Sequence, residues 1–442
     1  MAAAPPPGPH AQPRPGGYRG PERPAWEDYS RCIHCGLCLT SCPTHRQLGL
    51  EPDSPRGRIH QMILVDQGRL ALGESFVRHI DLCLDCRACE TACPSGVQYG
   101  KLVEVARGQI EQNYRRPLGQ RLARSLFLKH TLPHPERIRR LGRLLRFYQR
   151  SGLQALVRRL RLLRPFGELE QAERLLPRVD ADSFFGQLGQ VFPAKGARRA
   201  RVAFLAGCIA NIAFSALNRA TVRVLQKNGC EVVVPAGQVC CGALHVHAGL
   251  RDLARQLART NLEAFLREPF DAVITNAAGC GSTLKEYELL FASEPESREK
   301  ARAFQARMRD VTEFLSQLGL RAPSRQLWQR VTYQDPCHLA HAQRIRQAPR
   351  DLLRALPGIE LVEMKLADQC CGSAGIYNVL QPGMAGSLLR EKMEQASATG
   401  AHIIATANPG CMLQLRAGAE LHGTGQEVLH VVELLDRCYA DR

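Results

Sequence analysis

Cys32-Ile33-His34-Cys35-Gly36-Leu37-Cys38-Leu39-Thr40-Ser41-Cys42-Pro43 and Cys83-Leu84-Asp85-Cys86-Arg87-Ala88-Cys89-Glu90-Thr91-Ala92-Cys93-Pro94 are two copies of one pattern, C-x2-C-x2-C-x3-C-P. Three cysteines at intervals of three wrap one side of a small object, and a fourth closes the cage from elsewhere. This is the spacing of cubane iron–sulfur ligation, in which the cysteine before proline serves the other cluster. The crossed reading gives Cys32, Cys35, Cys38 and Cys93 to one [4Fe-4S] cluster, and Cys83, Cys86, Cys89 and Cys42 to a second. The spacing leaves open that Cys42 stays with its own run. Zinc, which takes four ligands, fits poorly where four cysteines crowd into each run. Pro43 and Pro94 end the runs and shape the local turns. His34, inside the first run, is placed to tune a cluster rather than to ligate it.

The rest of the chain is compatible with a metalloprotein. Its 442 residues make room for two to four domains, and 45% apolar content excludes disorder throughout. The longest uncharged stretch near a strand, Val202 to Asn218, contains Gly207, Asn211 and Ser215 and does not read as a membrane span. The N-terminus has no apolar core of the secretory kind, so a cytoplasmic, reducing location is expected. There, 18 cysteines are metal ligands or reactive thiols rather than disulfides.

The expected fold class is α+β multidomain. Residues 1–25 are dense in Pro and Gly and are expected to be a disordered tail. Residues 26–113 form the two-cluster domain, with helical spacing from Pro55 to Leu70. Residues 114–198 lack cysteine and form a basic helical connector: between Arg115 and Arg164 there are 15 Arg or Lys and one acid, a net +14 against +17 for the whole chain. Apolar residues recur at helical spacing (Leu141, Leu144, Leu145, Tyr148, then Leu153, Leu156, Val157, Leu160) around a break at Ser151-Gly152. Three readings stay open for this segment: contact with an acidic partner subunit, a peripheral position on the inner face of the cytoplasmic membrane, or solvated arginines. No nucleic-acid motif accompanies the charge, so no nucleic acid is expected.

Residues 199–325 and 326–442 read as a duplicated α/β region. Short β-branched runs (RVAFLAG, CEVVVP, FDAVITNAAG, then RVTYQDP, IELVEMK, HIIATANPG) alternate with helical stretches, which argues for a mainly parallel sheet. The cysteines repeat at offsets of 129 (Cys208, Cys337), 130 (Cys240, Cys370) and 131 (Cys280, Cys411). Each half therefore supplies four thiols: Cys208, Cys240, Cys241 and Cys280, then Cys337, Cys370, Cys371 and Cys411. A further cluster or metal, purely structural cysteines, and thiol chemistry are all compatible with this set. His245, His247 and His338 lie near these cysteines and are candidate proton carriers, although a structural histidine is the commoner outcome. Cys230 and Cys438 fall in no motif and read as small buried hydrophobes.

The duplicated region resembles the cysteine-rich CCG domain of heterodisulfide reductase and of several flavin dehydrogenase partners. Ala277 and Asn408 stand where that family's first cysteine of a C-x-x-C pair would be, which places a non-cubane cluster in doubt. The long spacing between the two cysteine runs resembles the α-helical ferredoxin domains of fumarate and succinate oxidoreductases. CCGALHVHAG (Cys240–Gly249), NAAGCGSTLKEY (Asn276–Tyr287), DPCHLAHAQ (Asp335–Gln343), CCGSAGIYN (Cys370–Asn378), NPGC (Asn408–Cys411) and SPRGRI (Ser54–Ile59) are similar to the iron–sulfur subunits of bacterial glycolate oxidase, also called glycolate dehydrogenase. The likeness covers about residues 26–442.

What the resemblance implies is an electron-transfer subunit of an oxidoreductase. It would carry two [4Fe-4S] clusters and no catalytic residue, and would pass electrons from partner flavin subunits that oxidise glycolate to glyoxylate on to an acceptor such as quinone. FAD is expected on those partners only, since no GxGxxG follows a strand here. Alternatives are a subunit serving a lactate or glycerol 3-phosphate dehydrogenase, a CCG-type disulfide reductase, or a redox sensor.

Overall fold

The computed structural model describes residues 17–19, 22–167, 170, 173, 176–180 and 182–439. They divide into two compact units, Met1–Pro117 with Val246–Arg251, and Leu118–His245 with Asp252–Arg442.

The first unit is built on three helices, α1 (Pro55–Asp66), α2 (Glu74–Asp81) and α3 (Tyr99–Asn113). Ser54 caps α1 by accepting from the Gly57 N–H at 3.0 Å, and Pro55 occupies the first turn, where its missing N–H costs nothing. Gly57 is required there because a Cβ would sit 1.9 Å from the Glu51 carbonyl oxygen. Ile59, Met62 and Val65 of α1, Phe76, Val77 and Ile80 of α2, and Leu102, Val103, Ala106 and Ile110 of α3 make one buried cluster at helical spacing. The expected helical ferredoxin domain is thus present. One expectation is corrected: part of the Pro-rich tail is packed. Tyr18 is buried in this core, and Arg23 pairs with Asp66 at 2.6 Å. An average over 25 residues hid a single aromatic anchor. The remaining tail lies largely outside the described residues.

The second unit begins with the connector helices α4 (Leu118–Arg124), α5 (Pro135–Arg150) and α6 (Leu153–Arg159). Gly152, at φ +81°, makes the expected break between α5 and α6. Two sheets follow. The first contains β1 (Val191–Phe192), β2 (Ala200–Phe204), β3 (Cys230–Val233), β4 (Ala272–Thr275) and β5 (Met308–Asp310) in the order β1-β3-β2-β4-β5. The second contains β6 (Gln329–Tyr333), β7 (Ile359–Val362), β8 (Ile403–Thr406) and β9 (Glu427–His430) in the order β7-β6-β8-β9. All pairs are parallel except β1 on β3. Without β1 the two sheets have the same order, as duplication requires. In each, the chain runs from the central strand to one neighbour and then crosses to the other. That is the topological switch point where α/β sheets place ligands, beyond the strand carboxyl ends.

The glycine of the second CCG motif follows from this packing. Gly372 has φ +87°, and a Cβ would stand 2.6 Å from the Ala385 carbonyl oxygen. Gly383, on the exposed first turn of the helix Pro382–Ser397, has open space instead. Gly372→Ala should lower stability by about 2 kcal/mol, while Gly383→Ala should be neutral or slightly stabilising. Equal denaturation midpoints for the two variants would contradict this packing account.

Candidate metal centres

The two cysteine runs are loops with the same backbone. The middle residues of the first C-x-x-C pairs, His34 and Asp85, have φ +56° and +53°, and the residues after the second cysteines, Gly36 and Arg87, have φ +84° and +60°. These left-handed turns fold each run back on itself. Cys42, Cys83, Cys86 and Cys89 line one cavity together with Arg58 and Tyr99. Cys93 and Cys35 are each within electrostatic reach of Cys32, while Cys42 is also within reach of Cys38. Cys42, Cys83, Cys86 and Cys89 are buried, whereas Cys35 is exposed and Cys32, Cys38 and Cys93 are half-buried. One centre is therefore set deep in the unit and the other near its surface.

Burial pushes the Cys38 thiol up to about 11 and raises Cys32 and Cys89 as well. Four such sulfurs become thiolates together only when a cation neutralises them. The donors near Cys83 suit an anionic cage: the Asp85 N–H at 3.4 Å and the Tyr99 hydroxyl at 3.6 Å both donate to its sulfur. Arg58, fully buried, donates to the His79 carbonyl at 2.7 Å and to Thr44 Oγ1 at 3.0 Å, with Asp53 Oδ1 at 3.4 Å. Thr44 in turn touches the Cys42 sulfur at 3.3 Å. Burial works against the guanidinium charge, and Cys83, Cys42 and Asp53 beside it favour that charge. Arg58 belongs to the SPRGRI segment, but its role is visible only in three dimensions. The residues present fit iron–sulfur clusters.

His247 belongs by sequence to the first CCG motif, yet it lies in the first unit, with Nδ1 3.0 Å from Asp85 and 3.6 Å from Glu104. Arg107 donates to the carbonyls of His247 at 3.1 Å and Cys83 at 2.5 Å, which fixes this segment to the second cysteine loop. Asp85, Glu104 and His247 converge as metal ligands would. However, Arg87 stands 2.6 Å from Glu104 and 3.5 Å from Asp85, and Arg107 stands 3.8 Å from Asp85. Two guanidinium groups already balance the carboxylates, so the cluster is an ion network that holds Arg87 in its left-handed turn. Gly100 leaves room for the Arg87 head, which a Cβ would meet at 2.1 Å.

In the second unit, all eight CCG cysteines follow the carboxyl ends of their strands and collect into two sets. Cys208 pairs with Cys240, and Cys241 with Cys280. Cys337 and Cys370 sulfurs are 4.0 Å apart, and Cys371 and Cys411 join them. The sets differ in their surroundings. In the second repeat, hydrogen bonds from Cys370 and Cys411, the Ser373 N–H and the buried Lys392 draw the Cys371 thiol well below its ordinary value. Asn408 Nδ2 donates to the Cys411 sulfur at 3.3 Å. Neighbouring thiols and burial hold Cys370 and Cys411 of that repeat above theirs, as they hold Cys208 and Cys241 of the first repeat, so the lowered Cys371 is what distinguishes the second set. Gly242 packs on Ala254 as Gly372 packs on Ala385, an offset of 385 − 254 = 131, which sets Asn261 at the place of Lys392. Asn261 is neutral and serves the Cys240 carbonyl at 3.0 Å. His245 donates from Nε2 to the Leu128 carbonyl at 2.8 Å and is a core residue, and His338 lies against Gly279. Cys230 and Cys438 are buried, as small hydrophobes would be.

A family model described as a 4Fe-4S dicluster domain matches residues 28–97. A second, the linker region of the glycolate oxidase iron–sulfur subunit, matches 119–176. A cysteine-rich domain model matches 202–285 and 331–416. The probable glycolate oxidase iron-sulfur subunit of Bacillus subtilis (strain 168) is 43% identical over 410 residues, 91% of this chain and 92% of that protein. The chain belongs to the glycolate oxidase iron–sulfur subunit family. The family member of Escherichia coli (strain K12) is 32% identical over 92% of this chain and 93% of its own length. Lactate utilization protein A of Shouchella clausii is 29% identical, over only 53% of this chain and 98% of that protein.

The His247 network sets a pH dependence for this family member. Burial works to lower the imidazole, but Asp85 and Glu104 overcome it and raise His247 from 6.5 to about 9. A raised folded-state value contributes stability that is complete below pH 6.5 and disappears as the pH climbs through 9. Denaturation of the oxygen-free protein should lose about 2 kcal/mol across that window, and His247→Gln should flatten the loss. Parallel curves for the two proteins would contradict the network.

Proposed function

We infer that this chain is the electron-transfer subunit of a glycolate-oxidising complex, that it accepts electrons from flavin-bearing partner subunits, and that it delivers them towards quinone. It is part of an oxidoreductase without itself oxidising glycolate. The observation that carries this reading is the presence of two convergent four-cysteine sets in one helical unit, in a chain alignable nearly end to end with glycolate oxidase iron–sulfur subunits.

Cys32, Cys35, Cys38 and Cys93 would hold one [4Fe-4S] cluster, and Cys83, Cys86, Cys89 and Cys42 the other. The shared cavity of Cys42 with Cys83, Cys86 and Cys89 supports the crossed assignment. Bound clusters supply one-electron steps over a wide range of potential, which is what joins a two-electron flavin to a distant acceptor. The chain's own residues set that potential. Arg58 places a buried positive charge, and Tyr99 and the Asp85 N–H donate to a ligand sulfur. All three favour the more negative, reduced state at the deep site. The exposed Cys35 gives the other site a path to a partner's surface.

The cysteine sets of the CCG repeats are assigned separately. Lys392, Asn408 and the lowered Cys371 thiol equip the second repeat for an anionic thiolate site holding a cluster or metal. The neutral Asn261, at the place of Lys392, leaves the first repeat without a matching cation and favours a structural set there.

Two comparisons test these assignments in protein purified without oxygen. Cys42→Ser should abolish the same EPR signal as Cys86→Ser, and Cys93→Ser the same signal as Cys35→Ser; the opposite grouping would overturn the crossing. Cys371→Ser should lower metal per chain where Cys241→Ser does not. Equal metal content in both would remove the second-repeat assignment. A reconstituted complex in which Cys86→Ser still reduces its acceptor at the native rate would contradict the electron-transfer role.

A further inference from the structure

Ten of the 22 exposed large apolar side chains among the described residues fall within the 45 residues from Leu118 to Leu162. The helices α4 and α6 bury no side chain at all, yet Leu118 and Leu122 on α4 are spaced i, i+4, and Leu153, Leu156 and Leu160 on and just after α6 are spaced i, i+3, i+7. In α5 the buried residues are Ile138 and Gly142, and Gly142 lets the helix approach Ile212 so closely that a Cβ would lie 2.9 Å from it. That face holds the helix to the unit. A second apolar stripe, Leu141, Leu144 and Phe147, runs along another side of α5, with Leu144 and Phe147 each 68% exposed. Arg139, Arg143, Arg146 and Arg150 occupy the sector beside it at helical spacing.

We propose that this connector is a membrane-surface anchor, in which Leu122, Leu126, Leu144, Phe147, Leu156 and Leu160 dip into the acyl boundary of an anionic bilayer while the flanking arginines meet the lipid phosphates. No described helix is long and apolar enough to cross a membrane, so the contact is peripheral. Charge complementarity selects the occupant. Fifteen basic residues against one acid over fifty positions present a single sign, which matches an anionic lipid sheet. Protein-interface hot spots are rich in Trp and Tyr and poor in Leu, whereas the exposed set here is nine leucines and one phenylalanine. The inference stands on the connector's surface alone. It deepens the partner side of the electron-transfer reading without depending on it.

The test is vesicle flotation of the full chain, loaded with clusters and free of oxygen. Vesicles of equal phosphatidylglycerol and phosphatidylcholine are compared with pure phosphatidylcholine at about 0.15 M salt, where long-range attraction is screened. The chain should float with the anionic vesicles, and the double variant Leu144→Asn, Phe147→Asn should bind at least about tenfold more weakly. Leu421→Asn, which removes an equally exposed leucine outside the connector, should bind as the unaltered chain does. Iron content and EPR signals of all variants should be unchanged, so a failure here is distinguishable from failure of the electron-transfer reading. No flotation, flotation of the double variant at full strength, or a double variant that keeps its vesicles but loses its flavin partner subunit would each overturn the anchor.

Discussion

Four thiols gathered at one point cannot all ionise unless something positive joins them, and the helical unit is organised around that constraint twice, once in its interior and once near its surface. Burial raises the sulfurs' affinity for protons. The fold then supplies what a polynuclear iron centre needs: left-handed turns at His34 and Asp85 that aim the cysteines inward, and donors at Tyr99 and Arg58 that stabilise negative charge. Arg58 would be a poor choice in an ordinary core, since a buried guanidinium is costly unless anions surround it. Asp53 supplies one such anion, and a cluster held by Cys42 and Cys83 would supply another.

The same logic separates the two CCG repeats. They share a strand order, a glycine packed on a helix, and four cysteines at the switch point of the sheet. They differ in the groups that would steady a negative sulfur. A duplicated fold keeps its glycines because both sit at left-handed φ, +84° at Gly242 and +87° at Gly372, where a side chain is strained. Charge near the thiols is free to diverge, and Lys392 against Asn261 records that divergence.

Much of this was legible in the residues. Cysteine spacing revealed the cluster loops, the duplication revealed the paired sheets, and β-branched runs located β2, β3, β4, β6, β7 and β8. The strands β1 and β5 escaped because they are only two and three residues long, and β9 because its two apolar residues stand between Glu427 and His430. Left-handed geometry at Arg87 was hidden because a non-glycine residue is rare there. It persists because Asp85 and Glu104 hold the side chain. The placement of His247 was likewise unreadable: five residues after a CCG motif, nothing in the local pattern shows that the chain joins another unit. The connector's helices were legible, but which of its leucines face outward depends on Gly142, whose missing side chain decides the face that packs.

The most direct check of the central claim is a count of iron and acid-labile sulfide in chain purified without oxygen, made alongside its EPR spectrum. The account expects at least about eight of each per chain, with two interacting cubane signals after reduction. Zinc in place of iron, or iron with no labile sulfide, would contradict it.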